Sequence, residues 1–136
     1  MQKSISLGAS VIIGGIPPAG AMFTPTILDD VKPGMPAFDE ELFGPVAAII
    51  SVQNEQDAIN LANQSKFGLG ASIWTGDSEK GRALARQIES GSVFINGMVK
   101  SDPRLPFGGV KLSGYGRELA SFGIREFVNI KSVWVK

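Results

Sequence analysis

The sequence predicts an α/β domain with a parallel-type sheet, βαβ crossovers and a C-terminal strand. Three observations carry the prediction. Residues 46–52, VAAIISV, form a nearly continuous apolar run, which suits a strand covered on both faces as in parallel sheets. Strand-like and helix-like segments then alternate as far as residue 95, the pattern of βαβ units with right-handed crossovers. Last, a strand-like GSVFIN at 91–96 precedes PFGGVKLSGYGRE at 106–118. The glycines of that stretch (Gly108, Gly109, Gly114 and Gly116) imply a backbone that bends where side chains would block it. In open α/β sheets ligands bind at the carboxyl ends of the strands, so the stretch is the first place to seek a site.

The elements follow in order. Residues 11–13 are a short β-branched run ended by Gly14 and Gly15, a strand and its turn. Residues 16–22 hold Pro17, Pro18 and Gly20 and read as a loop. Residues 23–28 read as a second strand, and 32–36, with two prolines and a glycine, as a connection. After the strand at 46–52, Asn54 is placed to cap a helix with Asp57 in its first turn. Ala58, Ile59, Leu61 and Ala62 supply that helix with an apolar stripe, and Phe67-Gly68 ends it. Residues 69–75 are a strand. Asp77 or Ser78 caps a helix to about residue 89, with Leu84, Ala85 and Ile88 inward, and 92–95 is the next strand. Residues 118–126 read as a helix weakened by Gly123. Residues 127–135 alternate with apolar side chains on both faces and read as a terminal strand, whose open edge is a template for another chain.

Composition narrows the chemistry. The 136 residues fit one domain or a piece of one, and a hydrophobic content of 43% is ordinary for a globular chain. Thirteen basic residues balance thirteen acidic ones, which argues against a nucleic-acid partner. No apolar run approaches the roughly 20 residues of a membrane span, and the N-terminus carries no signal-peptide pattern. With neither Cys nor His, thiol nucleophiles, disulfides and zinc sites with nitrogen or sulfur ligands are excluded within the chain, and no metal site is expected. The Gly-rich stretch accommodates neither Gly-x-x-x-x-Gly-Lys nor Gly-x-Gly-x-x-Gly, so it is not a phosphate cradle. Lys111 and Arg117-Glu118 read as structural ion pairs.

Residues 106–118 closely resemble the C-terminal signature of the NAD(P)-dependent aldehyde dehydrogenases. E-E-L-F-G-P-V at 40–46, F-G-L-G-A at 67–71 and V-F-I-N at 93–96 resemble segments of the same family. The resemblance implies the C-terminal portion of a catalytic domain across 1–136, ending in an oligomerisation strand at about 127–135. It implies that Glu41 accepts hydrogen bonds from the nicotinamide-ribose hydroxyls, a carboxylate with two acceptor oxygens meeting a diol with two donors. Phe43 would pack beside the nicotinamide, Asn96 would support the active-site shell, and Phe107 would line the aldehyde pocket. The F-G-L-G-A segment would be architectural, with Gly68 letting the helix stop and the strand begin.

The loop after Asn96-Gly97 reads MVKSDPRL. Its Lys100, Ser101 and Arg104 could hold an anionic group, and the Asn-Gly with Ser-Asp-x-Arg pattern is similar to the succinate-semialdehyde dehydrogenase branch. The implied activity is oxidation of succinate semialdehyde to succinate with NAD or NADP, in the cytoplasm, by a homo-oligomer. In the family a Cys thiolate attacks the aldehyde and a Glu activates water; both would lie upstream of this chain, with the Rossmann-type cofactor domain. The chain alone is therefore expected to be inactive and to bind the cofactor weakly or not at all. A non-catalytic assembly module, or one half of a split enzyme, is the competing expectation.

Overall fold

The computed structural model describes residues 1–15, 20 and 22–136, and the chain divides into two compact units, Met1–Ala58 and Ile59–Lys136. Most of the loop expected at 16–22 lies outside the described residues. The fold is α/β.

In the first unit, α1 (Gln2–Ser6), β1 (Ser10–Ile13), β2 (Thr26–Asp29), α2 (Pro36–Asp39) and β3 (Val46–Ala48) follow one another. The sheet order is β1-β2-β3. β2 runs antiparallel to β1 and parallel to β3, with Thr26, Ile27 and Leu28 opposite Val46, Ala47 and Ala48. Period-two burial puts Thr26 and Leu28 inside, where Leu28 joins Ala9, Val31 and Met35 in the core, flanked by Ile5, Phe38 and Val46. The Ser4 hydroxyl is fully buried and accepts the Ala37 N–H at 2.9 Å, which ties α1 to α2.

Several expectations shift here. The second strand starts at Thr26 rather than 23, and Pro25, which has no N–H to donate to a ladder, stands just before it. The run at 46–52 pairs only over β3, and Ala47 and Ile49 are exposed, so it is not covered on both faces within this unit. Neither α1 nor α2 is expected from sequence, because helices of five and four residues are too short for a periodic stripe. Pro36 opens α2, where its fixed φ suits the first helical position.

α3 (Glu55–Gln64) starts as expected. Asn54 Oδ1 accepts the Asp57 N–H at 2.9 Å, and Asn54 Nδ2 donates to Asp57 Oδ2 at 2.9 Å. Of its expected stripe, Ile59 is buried and Leu61 half-buried, while Ala58 and Ala62 face solvent. The helix is over before Phe67 and Gly68, which form β4 (Phe67–Gly68) antiparallel to β7 (Val110–Lys111). Gly68 is thus a strand residue and not a helix stop.

β5 (Ala71–Ile73), α4 (Ser78–Ala85) and β6 (Val93–Ile95) make the expected βαβ unit, with Ala71, Ser72 and Ile73 opposite Val93, Phe94 and Ile95 in parallel. Asp77 is the cap: its Oδ1 accepts the N–H groups of Glu79 at 3.0 Å and Lys80 at 3.1 Å. α4 stops at Ala85, short of residue 89. α5 (Ala120–Glu126) contains a buried Gly123. A Cβ there would sit 2.7 Å from the Glu118 carbonyl carbon, so this glycine permits a close approach rather than weakening the helix.

Residues 127–135, expected as a strand, form none, and all of 127–136 is exposed. Alternating apolar side chains favour a strand only where an edge accepts its hydrogen bonds, and no strand among the described residues does so. No helix among the described residues is long and apolar enough to cross a membrane.

Candidate functional site

Two groups of candidate residues emerge, one in each unit. In the first, Glu41 and Phe43 lie on the connection from α2 to β3. The turn is pinned where the sheet begins: the Thr26 N–H donates to the Pro45 carbonyl at 2.9 Å and the Val46 N–H to the Gly44 carbonyl at 2.7 Å. Phe43 adopts φ 43°, a backbone state that bulky side chains rarely take, and its ring is 91% exposed. The Glu41 carboxylate is exposed and makes no hydrogen bond or ion pair among the described residues. A two-oxygen acceptor two residues from an exposed aromatic ring has the chemistry to receive the hydroxyls of a sugar diol joined to a flat heterocycle.

The second group clusters around the end of β6. Asn96 has φ 53°, and its side chain closes on a neighbour strand: Oδ1 accepts the Thr75 N–H at 2.8 Å while Nδ2 donates to the Thr75 carbonyl at 2.8 Å. The amide thus extends the β5–β6 pairing by one side-chain rung, with the Asn96 N–H donating to the Ile73 carbonyl at 2.8 Å. These bonds fix where the following loop leaves the sheet.

That loop folds around an internal ion pair. Arg104 Nε donates to Asp102 Oδ1 at 2.9 Å and Nη2 to Oδ2 at 2.7 Å, and the Arg104 N–H also reaches Oδ1 at 2.9 Å. The guanidinium fork holds the Asp102 carboxyl well below its ordinary 3.8, at about 2, with the backbone N–H helping and the Lys100 charge adding little. The same contact raises the Arg104 pKa. Arg104 is therefore engaged with its own loop, its side chain 85% exposed against 23% for Asp102. Ser101 is exposed beside it. Asp102 escapes sequence reasoning, although the Asp-x-Arg spacing is the signal that reveals it.

Phe107 closes the loop. Its N–H donates to the Glu118 carbonyl at 2.9 Å and its carbonyl accepts the Glu118 N–H at 2.7 Å. The half-buried ring borders two hollows. One, of about 400 Å³, has walls of Phe94, Ile95 and Leu105, with Lys100 and Asp102 at its edge. The other, of about 570 Å³, lies against Tyr115, Glu118 and Phe127. Gly91 lets the Gly-rich stretch pass directly over the start of β6, since a Cβ there would collide with the Gly108 carbonyl oxygen.

The charged residues of this stretch are structural, with one change of partner. Lys111 pairs with Glu89 at 2.9 Å and donates to the Asn63 and Ser65 carbonyls. Arg117 does not pair with Glu118; its Nη1 donates to the Gly109 carbonyl at 3.0 Å and to that of Gly116, gathering the ends of the glycine run. Among the described residues no group of three or more His, Cys, Asp or Glu could hold a metal ion.

A profile of the aldehyde dehydrogenase family matches residues 1–133. The chain belongs to that family. Over 136 residues it is 50% identical to a succinate semialdehyde dehydrogenase of Escherichia coli named as using NAD(P)+, covering 98% of this chain and 29% of that protein. It is 51% identical over 137 residues to an NADP+-dependent succinate-semialdehyde dehydrogenase of Mycobacterium ulcerans, covering 99% of this chain and 30% of the relative. Among solved structures, succinic semialdehyde dehydrogenase from Streptococcus pyogenes in complex with NADP+ superposes with a TM-score of 0.93 at 40% identity, over 98% of this chain and 30% of that one. This aldehyde dehydrogenase chain thus spans about 30% of the length of the relatives it matches.

Proposed function

We propose that this chain is the C-terminal part of the catalytic domain of an NAD(P)-dependent aldehyde dehydrogenase that oxidises succinate semialdehyde to succinate. The observation that carries the reading is the 50% identity to a succinate semialdehyde dehydrogenase over 98% of the chain, a span that takes in both groups of candidate residues.

Bound NAD or NADP would supply the hydride acceptor. Glu41 accepts hydrogen bonds from the ribose hydroxyls, and charge-assisted bonds of this kind are short and strong. Phe43 restricts the ring beside it. Phe107 walls the aldehyde pocket and keeps water from the reacting carbon. Ser101 donates its hydroxyl toward the substrate, and Arg104 shapes the loop that carries it. Asn96 sets the loop's exit from the sheet. The sequence has no Cys, so this chain contributes no thiolate. Turnover needs a nucleophile and a water-activating base from elsewhere in the working enzyme, which this reading places in the cytoplasm.

The uncovered apolar residues Phe127, Ile130, Val133 and Trp134 support pairing of 127–135 with another copy. They equally favour the second reading, an assembly module without turnover of its own.

The experiment compares the 136-residue chain with the complete polypeptide that carries this sequence. The complete enzyme reduces NAD or NADP with succinate semialdehyde; the 136-residue chain does not, and it binds the cofactor weakly or not at all. A complete enzyme that prefers uncharged aldehydes, or repurified 136-residue chain that turns over, overturns the proposal.

A further inference from the structure

We infer that Lys100, and not Arg104, provides the charge by which this enzyme selects an anionic aldehyde, and that the Asp102–Arg104 pair determines the loop's shape. The inference rests on the proposed oxidation of succinate semialdehyde.

Among the described residues two charged side chains border the 400 Å³ hollow beside Phe107, Lys100 and Asp102. Asp102 is neutralised in place by both donors of the Arg104 fork, at 2.9 and 2.7 Å. Lys100 makes no hydrogen bond or ion pair among the described residues, and with Asp102 closed on Arg104 the described border keeps a net positive charge. Apart from Ser92 the remaining walls are apolar, with Phe94, Leu105 and Phe107 offering contact to a methylene chain. An aldehyde with a short alkyl chain and a terminal carboxylate matches that arrangement.

Arg104 suits a carboxylate well, and it already has one. A substrate carboxylate reaching for it must break two charge-assisted bonds to form two like them, and it strands the Asp102 carboxylate next to a second anion. An approach to Lys100 breaks nothing. Its ammonium is a compact charge with three donors on a flexible stem, able to follow the end of a chain into the hollow.

Steady-state kinetics on the complete enzyme test this with succinate semialdehyde and butanal, aldehydes of equal carbon count that differ in the terminal carboxylate. Lys100→Met raises the KM for succinate semialdehyde relative to butanal roughly tenfold, the worth of one hydrogen bond to a charged group. Lys100→Arg restores the ratio. The double variant Asp102→Asn, Arg104→Met removes both charges of the clasp while leaving Lys100, and it shifts both aldehydes in parallel, as expected for loop shape. Lys100 is exposed, so its variants leave folding intact. The inference is overturned if Lys100→Met leaves the ratio unchanged, or if the double variant destroys the preference. A wild-type enzyme without any preference for succinate semialdehyde sinks the proposed function itself, an outcome visible before any variant is made.

Discussion

Asn96→Ala removes two hydrogen bonds and imposes a side chain on an unsuitable backbone, and the two costs separate. The Asn96 amide makes 2.8 Å bonds to both the N–H and the carbonyl of Thr75. Net hydrogen bonds contribute about 0.5–1.5 kcal/mol each, and water partly replaces them at this exposed position, so their joint loss costs about 1–2 kcal/mol. At φ 53° alanine pays a left-handed penalty of about 1 kcal/mol that asparagine largely escapes and glycine does not pay. The expected destabilisation is therefore about 2–3 kcal/mol for Asn96→Ala and about 1–2 kcal/mol for Asn96→Gly. Urea unfolding of the 136-residue chain reads it through far-ultraviolet circular dichroism, since both tryptophans, Trp74 and Trp134, are already exposed at 68% and 83% and report unfolding weakly. Equal losses in the two variants refute the backbone argument. A wild-type midpoint for both refutes the claim that the amide closes the sheet.

Other expectations follow from single contacts. Asp102 titrates near 2 by carboxyl NMR in the wild type, and Arg104→Met returns it toward 3.8. Because the folded pKa is lowered, the pair's contribution is whole above the ordinary value and is lost as pH falls through about 2; a midpoint near 3.8 in the wild type contradicts the pairing. Asp77→Ala leaves the Glu79 and Lys80 N–H groups uncapped and costs about 1 kcal/mol, read from the urea midpoint of the second unit. In the complete enzyme Glu41→Gln raises the KM for the nicotinamide cofactor roughly tenfold or more, since hydrogen bonds to an ionised group are worth about 1.5–3 kcal/mol; an unchanged KM removes Glu41 from the cofactor site.

What the sequence disclosed depended on range. The parallel pair β5–β6 was legible because strand, helix and strand patterns alternate between residues 69 and 95. The pairing of β3 with β2, in a sheet apart from β5–β6, was not, since the alternation pointed to one sheet joining the run at 46–52 to the strand at 69–75. The caps at Asn54 and Asp77 were legible because they act within three residues. α1 and α2 are held by contacts such as Ser4 to Ala37, thirty-three residues apart, which leave no local periodicity. The strand pattern at 127–135 was real in composition, yet strand formation requires a partner edge that local pattern cannot supply. At the site, Glu41, Phe43 and Phe107 stood out through family resemblance, while the charge balance of the loop did not. Arg104 reads from the sequence as substrate-facing, while the structure closes it on Asp102, two residues before it.

The loop at 98–105 is anchored like a cassette between two fixed posts. Upstream the Asn96 amide is fastened to Thr75; downstream Phe107 is bridged to Glu118, and Gly91 admits no side chain beneath Gly108. Between the posts the chain is shaped by its own Asp102–Arg104 clasp and by one bond from outside, the Ala120 N–H to the Pro103 carbonyl at 3.2 Å. A new segment could therefore be spliced in without remaking either mount, and a single scaffold could change the aldehydes it accepts by exchanging eight residues.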